Sequence, residues 1–128
     1  RLMALTDPEL VGLCLDTGHL VYGGGAVLEV PRKHLDRIWY VHLKDIWPDK
    51  LRQVREQRIK MRRAWAMDVF AELGRGCVDF VGFADLLRSR GYEGWLIVEQ
   101  DVVRDPGKPW SPLASAVQSR KYPSHPLR

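Results

Sequence analysis

Three apolar runs in this chain each end in side chains able to bind a metal ion. They are Leu13-Cys14-Leu15-Asp16-Thr17-Gly18-His19, Trp39-Tyr40-Val41-His42-Leu43-Lys44-Asp45 and Trp95-Leu96-Ile97-Val98-Glu99-Gln100-Asp101. Side chains of a strand alternate between its two faces. Asp16 therefore shares a face with Cys14, His42 with Tyr40 and Lys44, and Glu99 with Ile97 and Asp101. If these faces point into one barrel or crevice, Asp16, His42 and Glu99 converge. Two carboxylates and an imidazole suit a divalent cation of the Mn, Co, Mg or Zn type. Such an ion can polarise a carbonyl and stabilise an enolate-like oxygen. A carboxylate at the site, such as Glu99, can act as base on an adjacent C–H. Lys44 lies on the His42 face, where it would contact a substrate hydroxyl or carbonyl. His19, in the loop after the first run, would bind a substrate oxygen.

Each residue also has a purely structural reading. Asp16 before Thr17-Gly18 is a common way to start a turn. A single histidine in an apolar strand is more often a satisfied core or edge residue than a ligand. Glu99 could be a salt-bridge partner, Lys44 and Asp45 an ion pair at a strand end, and His19 merely solvated. The coincidence at three strand ends favours a site over three independent accidents.

The elements that would carry these groups follow from pattern. Residues 1–5 read as the last turn of a helix and residues 6–9 as a loop. Residues 10–16 read as a nearly all-apolar strand, as in a sheet covered on both faces. Gly18 and the Gly23-Gly24-Gly25 run mark a flexible loop, and a helix is expected to start near Pro31 and run to about Arg37. Residues 38–44 form a second strand. Residues 49–70 favour helix, with Val54, Met61 and Trp65 on one side. Gly74-Arg75-Gly76 is a turn. Asp79 caps a helix from about Val81 to Arg90, with Gly91 as its stop. Residues 95–100 form a third strand, and a short helix near 113–121 is limited by Pro123 and Pro126. Crossovers of this length imply parallel strands, and in parallel α/β folds sites gather at the carboxyl ends of strands.

Composition sets outer limits. The chain has 128 residues, 45% hydrophobic and 28% charged, with a formal net charge of +4. That fits one globular α/β domain. No apolar run reaches the length of a membrane span, and no basic-then-apolar leader is visible. Its two cysteines make no disulfide framework. A cytoplasmic setting is the default expectation, with Cys14 as a small buried hydrophobe in its strand. The basic stretch Lys50, Arg52, Arg55, Arg58, Lys60, Arg62 and Arg63 is read as a solvated helix rather than a nucleic-acid surface. Gly74-Arg75-Gly76 lacks the lysine and the strand–helix context of a phosphate loop.

Taken in order, four motifs resemble the xylose-isomerase-like TIM-barrel superfamily of sugar isomerases and epimerases. They are Asp16-Thr17-Gly18-His19, His42-Leu43-Lys44-Asp45, Glu72-Leu73-Gly74-Arg75-Gly76-Cys77-Val78-Asp79-Phe80, and Gly91-Tyr92-Glu93-Gly94-Trp95 leading to Val98-Glu99-Gln100-Asp101. The long basic insert before Glu72 resembles the inosose dehydratase branch in particular. The resemblance covers about residues 2–118 and implies three βα units similar to the sixth to eighth of an eight-stranded barrel. It assigns Asp16, His42 and Glu99 to a metal held by Glu, Asp, His and Glu. The first Glu has no counterpart here. Glu99, His19 and Lys44 become the expected catalytic residues, and His19, Lys44 and Asp45 the substrate-binding ones. Trp47 stands where that branch often has Arg, and residues 122–126 depart from the usual terminal helix.

A barrel domain over residues 1–113 and a tail over 114–128 are expected, as the C-terminal part of a longer enzyme. The parent would be a metal-dependent lyase acting on 2-keto-myo-inositol, or a sugar or sugar-phosphate isomerase or epimerase. It would bind a small molecule, neither nucleic acid nor membrane, with a homo-oligomer possible for the full-length protein. The isolated chain would be inactive. A reading from another class makes the chain a non-catalytic remnant or binding module.

Overall fold

The computed structural model describes residues 2–107 and 109–122; the expected tail beyond Tyr122, with its two prolines, lies outside them. Three parallel strands, β1 (Leu13–Asp16), β2 (Ile38–Leu43) and β5 (Trp95–Val98), form one sheet in the order β1-β2-β5. Asp16 pairs in register with His42, and His42 with Ile97. One sheet face carries Leu15, Val41 and Leu43, all buried, in a core with Phe80, Phe83 and Leu87 of the helix α5 (Phe80–Ser89). The other carries Cys14, Tyr40, His42 and Ile97 and is only partly covered. Cys14 is exposed rather than buried. It shares the partly covered face with Tyr40 and His42, so the apolar run did not imply cover on both faces.

Several elements differ from the sequence expectations. The residues after Asp16 are helical: α1 spans Thr17–Tyr22, with the Asp16 carboxylate accepting from the His19 N–H at 2.8 Å. Gly18 is thus buried in a helix, where an added Cβ would come within 2.7 Å of the Lys44 side chain. The triple glycine ends α1. The Gly24 N–H donates to Val21 O and the Gly25 N–H to Leu20 O, with Gly24 at φ +86°. These paired bonds are a Schellman stop. α2 (Glu29–His34) begins two residues before Pro31 and passes into a 3-10 turn, Leu35–Arg37.

The single helix expected over 49–70 is two, α3 (Pro48–Glu56) and α4 (Met61–Ala66), followed by a short strand β4 (Phe70–Ala71). β4 pairs antiparallel with β3 (Asp45–Ile46). Both helices end in the same Schellman geometry as α1, with Arg58 (φ 50°) and Asp68 (φ 53°) in the left-handed position. The bonds are Ile59 N–H to Val54 O and Arg58 N–H to Arg55 O in the first, Val69 N–H to Ala64 O and Asp68 N–H to Trp65 O in the second. Neither position is glycine, so the usual stop signal is missing from the sequence.

α5 starts and stops as expected. Asp79 caps it through the Gly82 N–H at 2.9 Å, and Gly91 (φ 65°) closes it. The last helix, α6 (Pro112–Lys121), spans the expected boundary at residue 113. It packs back through two buried serines: Ser115 donates to Gln100 Oε1 at 2.6 Å, and Ser119 accepts from the Leu73 N–H at 3.3 Å. Among the described residues, no helix is long and apolar enough to cross a membrane.

Candidate metal centre

Asp16, His42 and Glu99 lie at the carboxyl ends of the three parallel strands and each offers one ligand atom, all within 4.8 Å of one another. His42 Nδ1 is 3.8 Å from Asp16 Oδ2 and directly contacts Glu99 Oε2. Its other nitrogen, Nε2, faces the Cys14 thiol at 3.8 Å, and Tyr40 meets the ring edge-on at 5.4 Å. The site stays open to a ligand, since His42 and Glu99 keep about a third of their side-chain surface (30% and 35%).

Lys44 is the buried counterpart of this cluster. It is fully buried, yet its ammonium reaches three carboxylates: Asp101 at 2.7 Å, Asp16 at 3.0 Å and Glu99 at 3.1 Å. Burial alone would lower its pKa, but hydrogen bonds to Asp101, Asp16 and Glu99 outweigh it and hold the ammonium above the ordinary lysine value. Three carboxylates and one ammonium sum to a formal charge of −2. A divalent cation at Asp16, His42 and Glu99 would neutralise it. Donor chemistry, spacing and charge therefore all fit such an ion.

Two residues that sequence reasoning left out of the site support Lys44. Thr17, fully buried, clamps its backbone: the hydroxyl accepts from the Lys44 N–H at 2.9 Å and donates to the Lys44 carbonyl at 2.7 Å. Asp101 joins Lys44 to His19, whose Nε2 lies 3.1 Å from the same carboxylate oxygen. Asp101 shares the Glu99 face by strand alternation, which was the available signal. Nothing local marks Thr17, because its partner lies 27 residues away. His19 also packs edge-on against Phe70, with ring centroids 4.9 Å apart.

Asp45 does not form the alternative ion pair with Lys44, and its full burial speaks against the expected substrate contact. Its carboxylate accepts backbone N–H bonds from Ile46 (2.9 Å), Val78 (3.1 Å), Gly74 (3.0 Å) and Gly76 (2.8 Å). An added Cβ at Gly76 would meet Asp45 Oδ1 at 2.2 Å, so the loop can close on the carboxylate only with glycine there. The Glu72–Asp79 motif is therefore a loop folded around a buried carboxyl group.

Parallel strands, intervening helices and polar groups gathered at the strands' carboxyl ends define an α/β-barrel portion with a candidate metal centre. The chain belongs to the xylose isomerase-like TIM barrel family, whose model matches residues 1–121. It is 41% identical over 122 residues to an inosose dehydratase of Clostridium tetani (strain Massachusetts / E88), covering 95% of this chain and 40% of the relative. It is 43% identical to the inosose dehydratase of Geobacillus kaustophilus (strain HTA426), covering 95% of this chain and 39% of the relative. The chain thus spans about two fifths of the length of these relatives. An L-ribulose 3-epimerase structure superposes with a TM-score of 0.60 at 23% identity, over 91% of this chain and 36% of that one. This last likeness shows the shared fold.

Proposed function

We propose that the chain carries most of the metal site of a divalent-metal-dependent enzyme acting on a polyol ketone or sugar, with dehydration of 2-keto-myo-inositol as the favoured reaction. The observation behind the metal centre is the convergence of Asp16, His42 and Glu99 beside a buried lysine. The choice of reaction rests on the inosose dehydratases among the relatives. Asp16, His42 and Glu99 would hold the ion. A bound divalent cation supplies a Lewis acid for a ketone oxygen. Glu99, partly exposed and steadied by Lys44 through its other oxygen, takes the proton from the carbon next to the ketone. His19, held by Asp101, gives a proton to the hydroxyl leaving the β carbon, so that the products are an unsaturated ketone and water. Lys44 acts by fixing Asp16, Glu99 and Asp101; its buried ammonium is already committed to them. In this reading Lys44 has a positioning role in place of the direct substrate contact expected from its strand face.

Calorimetric titration of the purified chain with Mn²⁺ and Co²⁺ tests this. One ion per chain is expected, with affinity falling about 100-fold or more in His42→Ala. Absence of saturable binding, or binding indifferent to His42, would remove the metal centre. Product analysis with 2-keto-myo-inositol addresses the reaction. Little turnover by the chain alone is expected, because it spans about two fifths of the length of its relatives. Salt-sensitive nucleic-acid binding without any metal effect would instead favour a binding module.

A further inference from the structure

Beyond the metal centre, a cavity of about 730 Å³ opens between the β3–β4 ribbon and the segment after β5. Trp47, Phe70 and Trp110 supply aromatic wall; Glu72, Gln100 and Arg104 supply polar groups. Asp101 also lines it, whereas Asp16, His42 and Glu99 do not. Asp101 and Phe70 adjoin both sites: the Asp101 carboxylate binds Lys44 and His19, and the Phe70 ring packs against His19 with its centroid 5.1 Å from Lys44 Nζ. A ligand whose reacting ring sits at the metal centre would enter this cavity by extending past these two residues.

The walls restrict what that extension can be. The volume lies within the range of about 300–1,000 Å³ typical of pockets for drug-sized ligands, more than one hydroxylated ring needs. Trp47 is held in place, with the Arg75 guanidinium 5.2 Å from its ring centroid and Arg75 paired in turn to Glu72 at 3.3 Å. The π-faces of the tryptophans are electron-rich and attract the C–H face of a ring. Two of the lining carboxylates are already paired, Glu72 with Arg75 and Asp101 with Lys44, and Arg104 is the one cation among the described lining residues. The lining thus lacks the converging Arg, Lys or N–H groups that a phosphate or carboxylate needs.

We infer that this cavity is a subsite for a second, uncharged ring attached to the reacting sugar or cyclitol ring. The substrate class becomes a neutral ring carrying a ring-sized substituent, and phosphorylated sugars are disfavoured. The inference rests on the proposed function for the placement of the reacting ring, but the cavity can be probed without metal.

The test is binding of phenyl β-D-glucopyranoside, D-glucose and D-glucose 6-phosphate to the EDTA-treated chain, by ligand-detected NMR and calorimetry. The aryl glucoside should bind about tenfold tighter than glucose, equal to about 1.4 kcal/mol, and the phosphate more weakly than glucose. Trp110→Ala should erase the aryl preference and Trp110→Phe should restore most of it, with Mn²⁺ affinity unchanged in both. Equal binding of the two neutral sugars, no binding of either, a preference that survives Trp110→Ala, or tighter binding of the phosphate would overturn the subsite. Loss of the metal centre in the His42 experiment would leave this aryl preference standing, so the two failures are distinguishable.

Discussion

Lys44 and Asp45 are adjacent in sequence and opposite in role. Lys44 points to the open end of the sheet and balances three carboxylates. Asp45 points to the other side and organises four backbone amides. Replacing Asp45 with alanine leaves those buried N–H groups without an acceptor. A loss of about 3 kcal/mol is expected from the cost of unsatisfied buried donors, read as a lower urea midpoint at an unchanged slope. A loss below 1 kcal/mol would mean that the Gly74–Val78 loop holds its shape unaided. The thiols make a second residue-scale prediction. Although both thiols are exposed, partial desolvation and then the charges of Asp16 and Glu99 push the Cys14 thiol up, and partial desolvation and then Asp45 push Cys77 up. A raised pKa means less thiolate at a given pH. Iodoacetamide should therefore modify both more slowly than glutathione at pH 7.5, with rates still climbing above the pH at which glutathione levels off. Faster labelling than glutathione would contradict the carboxylate-rich surroundings.

At the scale of elements, helix ends separate what was legible from what was not. α5 was readable because Asp79 and Gly91 are favourable cap residues at both ends. The break between α3 and α4 uses the same hydrogen-bond pattern with Arg58 and Asp68 in place of glycine. Tertiary pairing decides it: Phe70 and Ala71 pair with Ile46 and Asp45, which a helix running to residue 70 would not permit, while Val54, Ala64 and Val69 all stay in the core. Arg58→Gly should accordingly stabilise the chain by up to about 1 kcal/mol, because the left-handed conformation costs a non-glycine residue roughly that much. Gly91→Ala should destabilise by a similar amount for the same reason. Thermal melts of the two variants should shift in opposite directions; shifts of the same sign would contradict this account of the stops.

For the molecule as a whole, the charge excess at the centre links metal to stability. Lys44→Met leaves three partly exposed carboxylates without their shared ammonium and should cost about 1–3 kcal/mol in metal-free buffer, less than breaking a fully buried ion pair because water reaches the carboxylates. Mn²⁺ at a hundredfold excess over its dissociation constant should add about 2.7 kcal/mol to the unsubstituted chain, reversed by EDTA. Melting curves indifferent to Mn²⁺ would argue against an ion at Asp16, His42 and Glu99 under any assignment of the reaction.

Strand alternation, a property of any extended backbone, was enough to put Asp16, His42 and Glu99 on candidate faces from sequence. The ordered motifs were enough to indicate the barrel family that residues 1–121 match. Contacts between distant segments lay beyond local pattern. Only the tertiary structure turned Asp45 inward to the Gly74–Val78 amides, set Thr17 on the Lys44 backbone and made Asp101 the bridge between Lys44 and His19. Periodicity records which way a residue faces along its own strand. What it meets there depends on packing between segments 27 to 82 residues apart, which no local pattern encodes.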